Sequence, residues 1–406
     1  MIRRREFLAA VGALAVPAIS AGRAARGAEP SRTAPPDDTR GQNKLPIRDV
    51  KVWRVTGSAK EPREAICVEV VAESGLSGWS APIGREQAFI VRTRLRGFLR
   101  GKDALAGEAL WNGMWRLDRH ARSGHMMMAQ SAVDNALWDL RGKHFGDPVY
   151  RLLGGPAQQR LRAYSSMLGY STEPLEACKI AREFFDRGFT AQKWFFAYTP
   201  ADGAEGRRKN LDLVRVLREE LGDGAELMFD CRWSWDVPYT IALARQMLAY
   251  RPLWLEEPLH PEQLEGYIRI KRETGIPLAA GEHLYTRWNV KPYLDAKALD
   301  FVQTDPEWTG GISELVKICA LADAYDVQVV PHGHHIAAAS HVVASQPVAL
   351  CPMIEFLVHS HLERVQYFQK TMLRPERGWL SLSQEPGLGL SLDESKIKEK
   401  RELVWD

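Results

Sequence analysis

The chain has 406 residues, of which 45% are hydrophobic and 26% are charged. A chain of this length is too long to fold around one small hydrophobic core. It suits two domains, or one barrel with an attached domain. The formal net charge is only +3, so the composition favours neither a nucleic-acid partner nor a polybasic membrane-binding patch.

The first 28 residues have the layout of an export signal. A basic start precedes an apolar stretch and then small residues, and the stretch is too short to span a bilayer. Arg4 and Arg5 indicate the twin-arginine type, whose pathway carries folded proteins. We therefore predict an exported, periplasmic protein without a stable membrane anchor, the alternative being a disordered basic arm. The five scattered cysteines predict no disulfide framework.

A linker and a small α+β unit follow. Residues 29–45 are rich in Pro, Asp, Thr and Gly and are predicted to be a linker. Residues 46–150 contain three strand-like runs, "IRDVKVWRVTG", "AICVEVVAESG" and "LSGWSAP", and then helical stretches at 87–99 and 126–143. This order predicts one domain of three strands followed by helices.

A regular alternation of short apolar runs and amphipathic segments occupies residues 151–375. Asp236 is the predicted N-cap of one helix. The alternation predicts a (β/α)-barrel, in which functional groups lie at the carboxyl ends of the strands. A doubly wound sheet is the alternative, but no glycine-rich dinucleotide loop follows the first run. The eight runs are residues 162–167, 190–196, 225–230, 253–258, 277–282, 299–305, 327–332 and 352–357.

Charged side chains lie at the ends of these runs. Asp230, Glu256 and Glu282 are equally spaced, which places three carboxylates at one height on adjacent strands. They would repel one another unless a divalent cation neutralised them, and all-oxygen ligation favours Mg²⁺. The alternative is three acids in salt bridges or helix caps. The full set of charged ends is Lys193, Asp230, Glu256, Glu282, Asp305, His332 and Glu355.

Three histidines lie close together in "VVPHGHH", residues 329–335. His332, His334 and His335 lack the i, i+4 spacing of a helical zinc site, and no cysteine stands nearby to complete one. His332 ends the seventh run, so a role in proton transfer is the better interpretation, with a structural histidine as the alternative.

The motifs "MFDCRW", "WLEEP", "AAGEH", "QTDPEWTGGI", "VVPHGHH" and "MIEF" resemble the enolase superfamily, and within it the mandelate racemase-like group. The resemblance covers residues 46–400. It implies a modified (β/α)7β TIM barrel over 151–375, an N-terminal α+β capping domain, and a C-terminal segment, 376–406, that packs back on the capping domain. One Mg²⁺ per subunit, a small-molecule carboxylate substrate and a homo-oligomer are also implied.

The same resemblance assigns roles to the residues at the strand ends. Asp230, Glu256 and Glu282 would be the metal ligands, with the first glutamate of "LEEP" ligating. Asp305 and His332 match a dyad in which the carboxylate orients the histidine as the catalytic base. The family also has a group that hydrogen-bonds the substrate carboxylate opposite the metal. Glu355 matches that group, for which we expect a raised pKa.

The implied chemistry is abstraction of the proton α to a carboxylate. Racemases of this group carry Lys-x-Lys on the second strand, whereas Lys193 is followed here by Phe195 in the second lysine's position. The second base is therefore missing, which favours dehydration of a sugar acid to a 2-keto-3-deoxy acid. "DCRWSWDVPY", "GEH" and "PHG" resemble rhamnonate-type dehydratases. Epimerases or racemases, cycloisomerases and a non-catalytic exported binding protein are the alternatives.

Several other residues are predicted to contact substrate or the catalytic groups. Lys193 either acts in catalysis or only balances the carboxylate charges. The capping-domain turns "GSAKEPRE" and "GWSAPIG" could close over the substrate. The predicted substrate contacts, each with a packing role as its alternative, are Arg232, His283, Trp308, His335 and Arg63.

Overall fold

The computed structural model describes residues 44–58, 60, 63–359 and 365–405. The predicted signal, residues 1–28, and nearly all of the predicted linker lie outside these residues. Within the described part of the chain, no helix is long and apolar enough to cross a membrane.

The N-terminal region forms an antiparallel sheet covered by helices. Its strands β1 (Ile47–Thr56), β2 (Glu64–Ala72) and β3 (Ser77–Trp79) are followed by α1 (Arg85–Ile90), a π-helical turn (Val91–Leu95), α2 (Arg96–Leu99), α3 (Gly107–Leu117), α4 (Gly124–Phe145) and α5 (Val149–Leu152). Buried valines and isoleucines of the strands pack against α4, forming a core of their own. The three predicted strands and both predicted helices are confirmed, whereas α3 was not predicted.

The C-terminal segment returns to both parts of the fold. Strand β12 (Trp379–Ser381) pairs antiparallel with the first barrel strand, and β13 (Glu399–Glu402) pairs antiparallel with β1. The capping sheet therefore has the order β13-β1-β2-β3.

Eight parallel strands form the barrel, and a helix follows each of the first seven. The strands are β4 (Arg160–Ser166), β5 (Ala191–Phe195), β6 (Glu226–Asp230), β7 (Trp254–Glu256), β8 (Leu278–Ala280), β9 (Phe301–Val302), β10 (Gln328–Val329) and β11 (Ile354–Leu357). The helices are α6 (Pro174–Asp186), α7 (Gly203–Leu221), α8 (Val237–Met247), α9 (Leu264–Thr274), α10 (Thr286–Asp295), α11 (Ile312–Asp323) and α12 (Ile336–Ser345). The predicted (β/α)7β alternation is confirmed, and Asp236 caps α8 by accepting a hydrogen bond from the Tyr239 amide at 2.8 Å.

A layer of buried side chains fills the interior of the barrel. Each strand or its immediate neighbour contributes one buried side chain to a common cluster, as expected for the filled interior of a barrel. The hydrogen-bonded strands are shorter than the predicted runs, because backbone pairing between the strands ends before the residues that carry the functional side chains. Glu282, Asp305 and His332 therefore lie in loops just beyond β8, β9 and β10. The cluster is Tyr164, Ala191, Met228, Trp254, Ala279, Phe301, Val330 and Met353.

Helix α4 joins the capping domain to the loop after β9. The Asn135 amide donates to the Pro306 carbonyl at 2.8 Å, and Asp134 accepts from the Ser313 amide at 2.9 Å. Gly311 has φ +87°, and a Cβ there would lie 2.3 Å from an Asp134 carboxylate oxygen. This close approach requires glycine, and it fixes the loop that carries Asp305.

Asp139 on α4 holds three segments together. Its buried carboxylate accepts from the Trp79 amide at 2.8 Å and the Leu388 amide at 2.7 Å, and it pairs with Lys143 at 2.6 Å. We expect Asp139→Asn to lower the free energy of unfolding by about 2–4 kcal/mol, because a buried acceptor of charged and backbone donors is lost. Urea unfolding measures this. The matched change in the exposed Asp186 should have little effect. Equal losses of unfolding free energy in the two variants would contradict the structural role of Asp139.

Candidate active site

A cavity of about 370 Å³ lies at the carboxyl ends of the barrel strands. It brings together most of the residues singled out in the sequence, including those of β5, β6 and the loops after β8, β9 and β10. The predicted site residues that do not line it are Glu256, Asp305, His335 and Arg63. The lining residues are Leu168, Lys193, Phe195, Asp230, Arg232, Trp233, Glu257, Glu282, His283, Trp308, His332, Glu355 and Leu357.

The three predicted metal ligands are neighbours in the structure. Asp230 and Glu256 lie opposite each other in the β6–β7 ladder, and Glu282 follows the end of β8 by two residues. Burial raises the pKa of Asp230 to about 6, with the charges of Glu282 and Glu257 adding to the effect. Burial likewise raises the pKa of Glu256 to about 8 and that of Glu282 to about 7. Negative charge is therefore crowded here beyond what the neighbouring cations offset.

Glu256 faces the barrel interior beneath the cavity. Its Oε1 lies 2.5 Å from Lys193 Nζ, and its Oε2 accepts from Trp254 Nε1 at 2.9 Å and Gln303 Nε2 at 2.8 Å. The strand alternation explains this direction, since Trp254 and Glu256 share the interior face of β7.

The adjacent Glu257 reaches the cavity wall, which the sequence analysis missed. Its φ of +38° breaks the strand alternation, and its carboxylate accepts a hydrogen bond from Trp233 Nε1. One potential ligand atom from each of Glu257, Glu282 and His283 lies within 4.8 Å of the others. The second acid of "LEEP" was the available signal, but the family resemblance assigned ligation to the first glutamate.

Lys193 is the charge partner of the buried acids. Only 1% of its side chain is exposed, and Nζ lies 2.9 Å from Glu355 Oε1 and 3.4 Å from Asp230 Oδ2. Burial alone would lower its pKa, but the carboxylates of Glu256 and Glu355 raise it well above the usual value. The ammonium therefore stays charged, which favours charge balance over a role as a base.

Glu355 differs from the sequence-based expectation. Burial would raise its pKa, but the positive charges of Lys193 and His332 lower it to about 2. Its Oε2 also accepts a hydrogen bond from the Gly333 amide at 2.8 Å. The expectation of a raised pKa was wrong because the sequence did not show that Lys193, two strands away, forms an ion pair with this carboxylate.

His332 and Asp305 form the predicted contact. His332 Nδ1 lies 3.0 Å from Asp305 Oδ2, while Nε2 faces Glu282 Oε2 at 3.2 Å. Asp305 is fully buried, and its Oδ1 accepts from the Glu307 and Trp308 amides. Burial lowers the pKa of His332, but Glu282 and the Asp305 hydrogen bond outweigh it and raise the pKa to about 10.

Three predicted substrate contacts do line the cavity. Arg232 lies past the end of β6 with φ +50°, rather than on the strand face, and its Nη2 donates to the Phe196 carbonyl at 3.2 Å. His283 Nδ1 lies 3.2 Å from Glu282 Oε1. The Trp308 ring centroid is 5.0 Å from that of His332.

The two remaining predicted contacts lie elsewhere. His335 is buried as the N-cap of α12, where its Nδ1 accepts from the Ala337 amide at 3.3 Å. A histidine at a helix start turns its ring towards the free amides, which explains why it does not face the cavity. Arg63 lies over the Tyr367 ring at 5.7 Å.

Two known protein families match most of the chain and show to which family it belongs. Residues 47–154 match the N-terminal domain of mandelate racemase / muconate lactonizing enzyme, and residues 176–396 match the enolase C-terminal domain-like family. The chain belongs to the mandelate racemase/muconate lactonizing enzyme group of the enolase superfamily. The family and the fold implied by the sequence motifs are thereby confirmed.

Other members of this enolase-superfamily group resemble the chain over most of its length. An L-rhamnonate dehydratase from Saccharopolyspora erythraea is 36% identical over 337 residues, covering 81% of this chain and 83% of that protein. The rhamnonate dehydratase from Gibberella zeae complexed with Mg has a TM-score of 0.77 at 29% identity, covering 87% and 96% of the two chains. A 3,6-anhydro-D-galactonate cycloisomerase from Zobellia galactanivorans has a TM-score of 0.75 at 29% identity, covering 87% and 100%.

Proposed function

We propose that the protein is a Mg²⁺-dependent dehydratase that converts a sugar acid to its 2-keto-3-deoxy acid. The observation that carries the proposal is a single histidine base, His332, held by the buried Asp305 and facing a carboxylate-lined cavity. Phe195 lines the same cavity where a two-base racemase would need its second base. The rhamnonate dehydratases among the relatives make L-rhamnonate the first substrate to test.

The cavity residues fit a divalent cation. Glu256 and Asp230 surround a single buried lysine, and Glu282 and Glu257 add further carboxylates beside them. Oxygen donors of this number and charge suit a hard ion. Asp230, Glu256 and Glu282 are the proposed ligands, with Glu257 next to them. Bound Mg²⁺ would supply positive charge at the substrate carboxylate and so make its α proton more acidic.

The proton chemistry is assigned to His332. Its Nε2 takes the α proton from C2, and the electron pair of the broken C–H bond then expels the C3 hydroxide. The imidazolium returns its proton to the departing oxygen, so that water leaves and the resulting enol becomes the 2-keto acid. Asp305 holds Nδ1 throughout, which fixes the ring and supports its positive charge.

Cation binding should lower the pKa of His332. The Glu282 carboxylate at 3.2 Å is one cause of the raised pKa, and a cation on that carboxylate would offset its charge. His332 is then deprotonated at a lower pH, and kcat/KM should rise with pH through this pKa. Nitrogen NMR titrations of the protein with and without Mg²⁺ measure the shift, and His332→Asn identifies the signal. An unchanged pKa would contradict the proposed ligand role of Glu282.

A screen of sugar acids tests the proposed function. Purified protein with Mg²⁺ is incubated with a stereochemically complete set of aldonic and aldaric acids, and 2-keto acids are measured. We expect turnover of at least one acid that stops when Mg²⁺ is chelated. Binding without turnover across the set would instead indicate a non-catalytic sugar-acid-binding protein.

Isomerisation is the second candidate function. The solved cycloisomerase shares the fold over 87% of this chain, and removal of an α proton can also begin an isomerisation.

Export to the periplasm and assembly into a homo-oligomer stay predictions. Cell fractionation would test the first, and light scattering would test the second.

A further inference from the structure

A cleft of about 480 Å³ lies where helix α3 begins. Residues 105–109 form one wall of this α3 cleft, and side chains of α4 and α11 form the others. The α3 cleft and the active-site cavity share no lining residue. Failure of a role for one therefore leaves the other intact. The residues that matter here are Ala106, Gly107, Glu108, Ala109, Trp138 and Arg141.

Arg141 is a buried cation with unused hydrogen-bonding capacity. Only 6% of the residue is exposed, and its Cζ lies 5.0 Å from the centroid of the Trp138 ring. Its Nε donates to the Ala104 carbonyl at 2.7 Å, but Nη2 has no hydrogen-bond partner within the described part of the chain. A buried charged donor without a partner is costly. The guanidinium therefore lacks an acceptor.

The nearby carboxylates are bonded to other groups. Asp134 accepts from the Ser313 amide at 2.9 Å, and Asp103 accepts from two backbone amides at 3.0 Å. The Glu108 carboxylate pairs with Lys317 at 2.6 Å. Burial lowers the pKa of Arg141, and the charges of these three acids offset only part of that effect. Protein groups therefore leave part of the positive charge uncompensated.

The first turn of α3 supplies further free donors. Ala106, at the N-cap, has no side chain that could cap the helix, and the amides of Glu108 and Ala109 donate no hydrogen bond within the residues that the structure describes. Arg141 lies against the same turn, since a Cβ on Gly107 would be 3.1 Å from Nη2. A cation beside the positive end of a helix is unfavourable unless an anion is bound there.

We propose that the α3 cleft binds a small oxyanion, with the Arg141 guanidinium and the amides of Glu108 and Ala109 as its donors. A carboxylate or phosphate group has several lone pairs, which suit a planar guanidinium together with backbone amides. Bound there, the anion offsets both the buried charge and the helix dipole.

Phosphorus NMR of inorganic phosphate tests the site in the full chain, without Mg²⁺ or substrate. We expect the protein to broaden the phosphate signal through saturable binding with a Kd of about 1 mM. Arg141→Met should weaken this binding at least about tenfold, because a charged donor is lost. The control is Arg116→Met, which removes an exposed arginine at the other end of α3 and should leave the affinity unchanged. Unsaturable broadening, or equal affinities in Arg141→Met and the unmodified protein, would overturn the proposal.

Ala106→Asp tests the site without removing the buried arginine, so it serves even if Arg141→Met does not fold. Ala106 is exposed, and an aspartate at the N-cap would accept from the free amides and place a negative charge where the anion binds. Phosphate affinity should fall at least about tenfold, while the temperature of thermal unfolding should rise. Ala201→Asp adds the same charge at an exposed alanine outside the cleft and should bind phosphate normally. Undiminished binding in Ala106→Asp would overturn the proposal.

Competition identifies the source of the oxyanion. Acetate represents a carboxylate, and methyl phosphate represents a phosphate monoester. Displacement of phosphate by either one supports the proposal, and the competitor that acts at the lower concentration identifies the class of ligand. Displacement by the uncharged glycerol at the same concentrations would overturn the proposal, because the cleft would then not select for negative charge.

Discussion

Replacing His332 with asparagine is expected to abolish exchange of the substrate's α proton with deuterated water. Asparagine keeps a side-chain amide able to reach Asp305, whose Oδ2 lies 3.0 Å from His332 Nδ1, but it cannot accept a proton at neutral pH. Because Phe195 offers no second base, the loss of kcat should be at least about 1,000-fold, within the range for general-base catalysis. Proton NMR of the substrate in deuterated buffer measures the exchange.

The control for this variant is His260→Asn, which changes an exposed histidine outside the cavity. It should exchange the α proton at the normal rate. The His332 variant should still bind Mg²⁺, which shows that the site is intact. Exchange that survives in the His332→Asn variant would exclude His332 as the base that removes the α proton.

The second large effect is expected at the adjacent glutamates of "LEEP". Glu256→Gln should weaken Mg²⁺ binding at least about 100-fold, because one ligand of three loses its charge. Lys193 would keep Asp230 and Glu355 as partners, so the barrel should remain folded. Calorimetric titration with Mg²⁺ measures the affinity directly, without requiring a substrate.

Glu257→Gln is the matched variant, one residue further along the chain. Glu257 lines the cavity but is held by Trp233, whereas Glu256 lies opposite Asp230 in the ladder. We expect the Glu257 change to weaken Mg²⁺ binding less than about tenfold, as for a neighbour of a ligand. A larger loss of Mg²⁺ affinity in Glu257→Gln than in Glu256→Gln would identify Glu257 as the ligand and contradict the assignment of Glu256.

The barrel and the general position of the site could be predicted from the sequence because both follow from repetition. Equal β/α units bring residues at equal intervals to the same end of the barrel, which placed Asp230, Glu282 and His332 together. The missing lysine at Phe195 was also visible, since alternate residues of a strand share a face.

Features that depend on side chains from distant strands could not be predicted. The low pKa of Glu355 comes from Lys193, which reaches it across β4. Arg232 and Glu257 have positive φ values, so strand alternation does not give their directions.

Dehydration can be distinguished from isomerisation by the mass of the product formed from L-rhamnonate with Mg²⁺. We expect a 2-keto-3-deoxy acid that is lighter than the substrate by one water, formed by the unmodified protein and not by the His332→Asn variant. A product of unchanged mass would identify an epimerase or cycloisomerase instead, and would contradict dehydration as the reaction of this site.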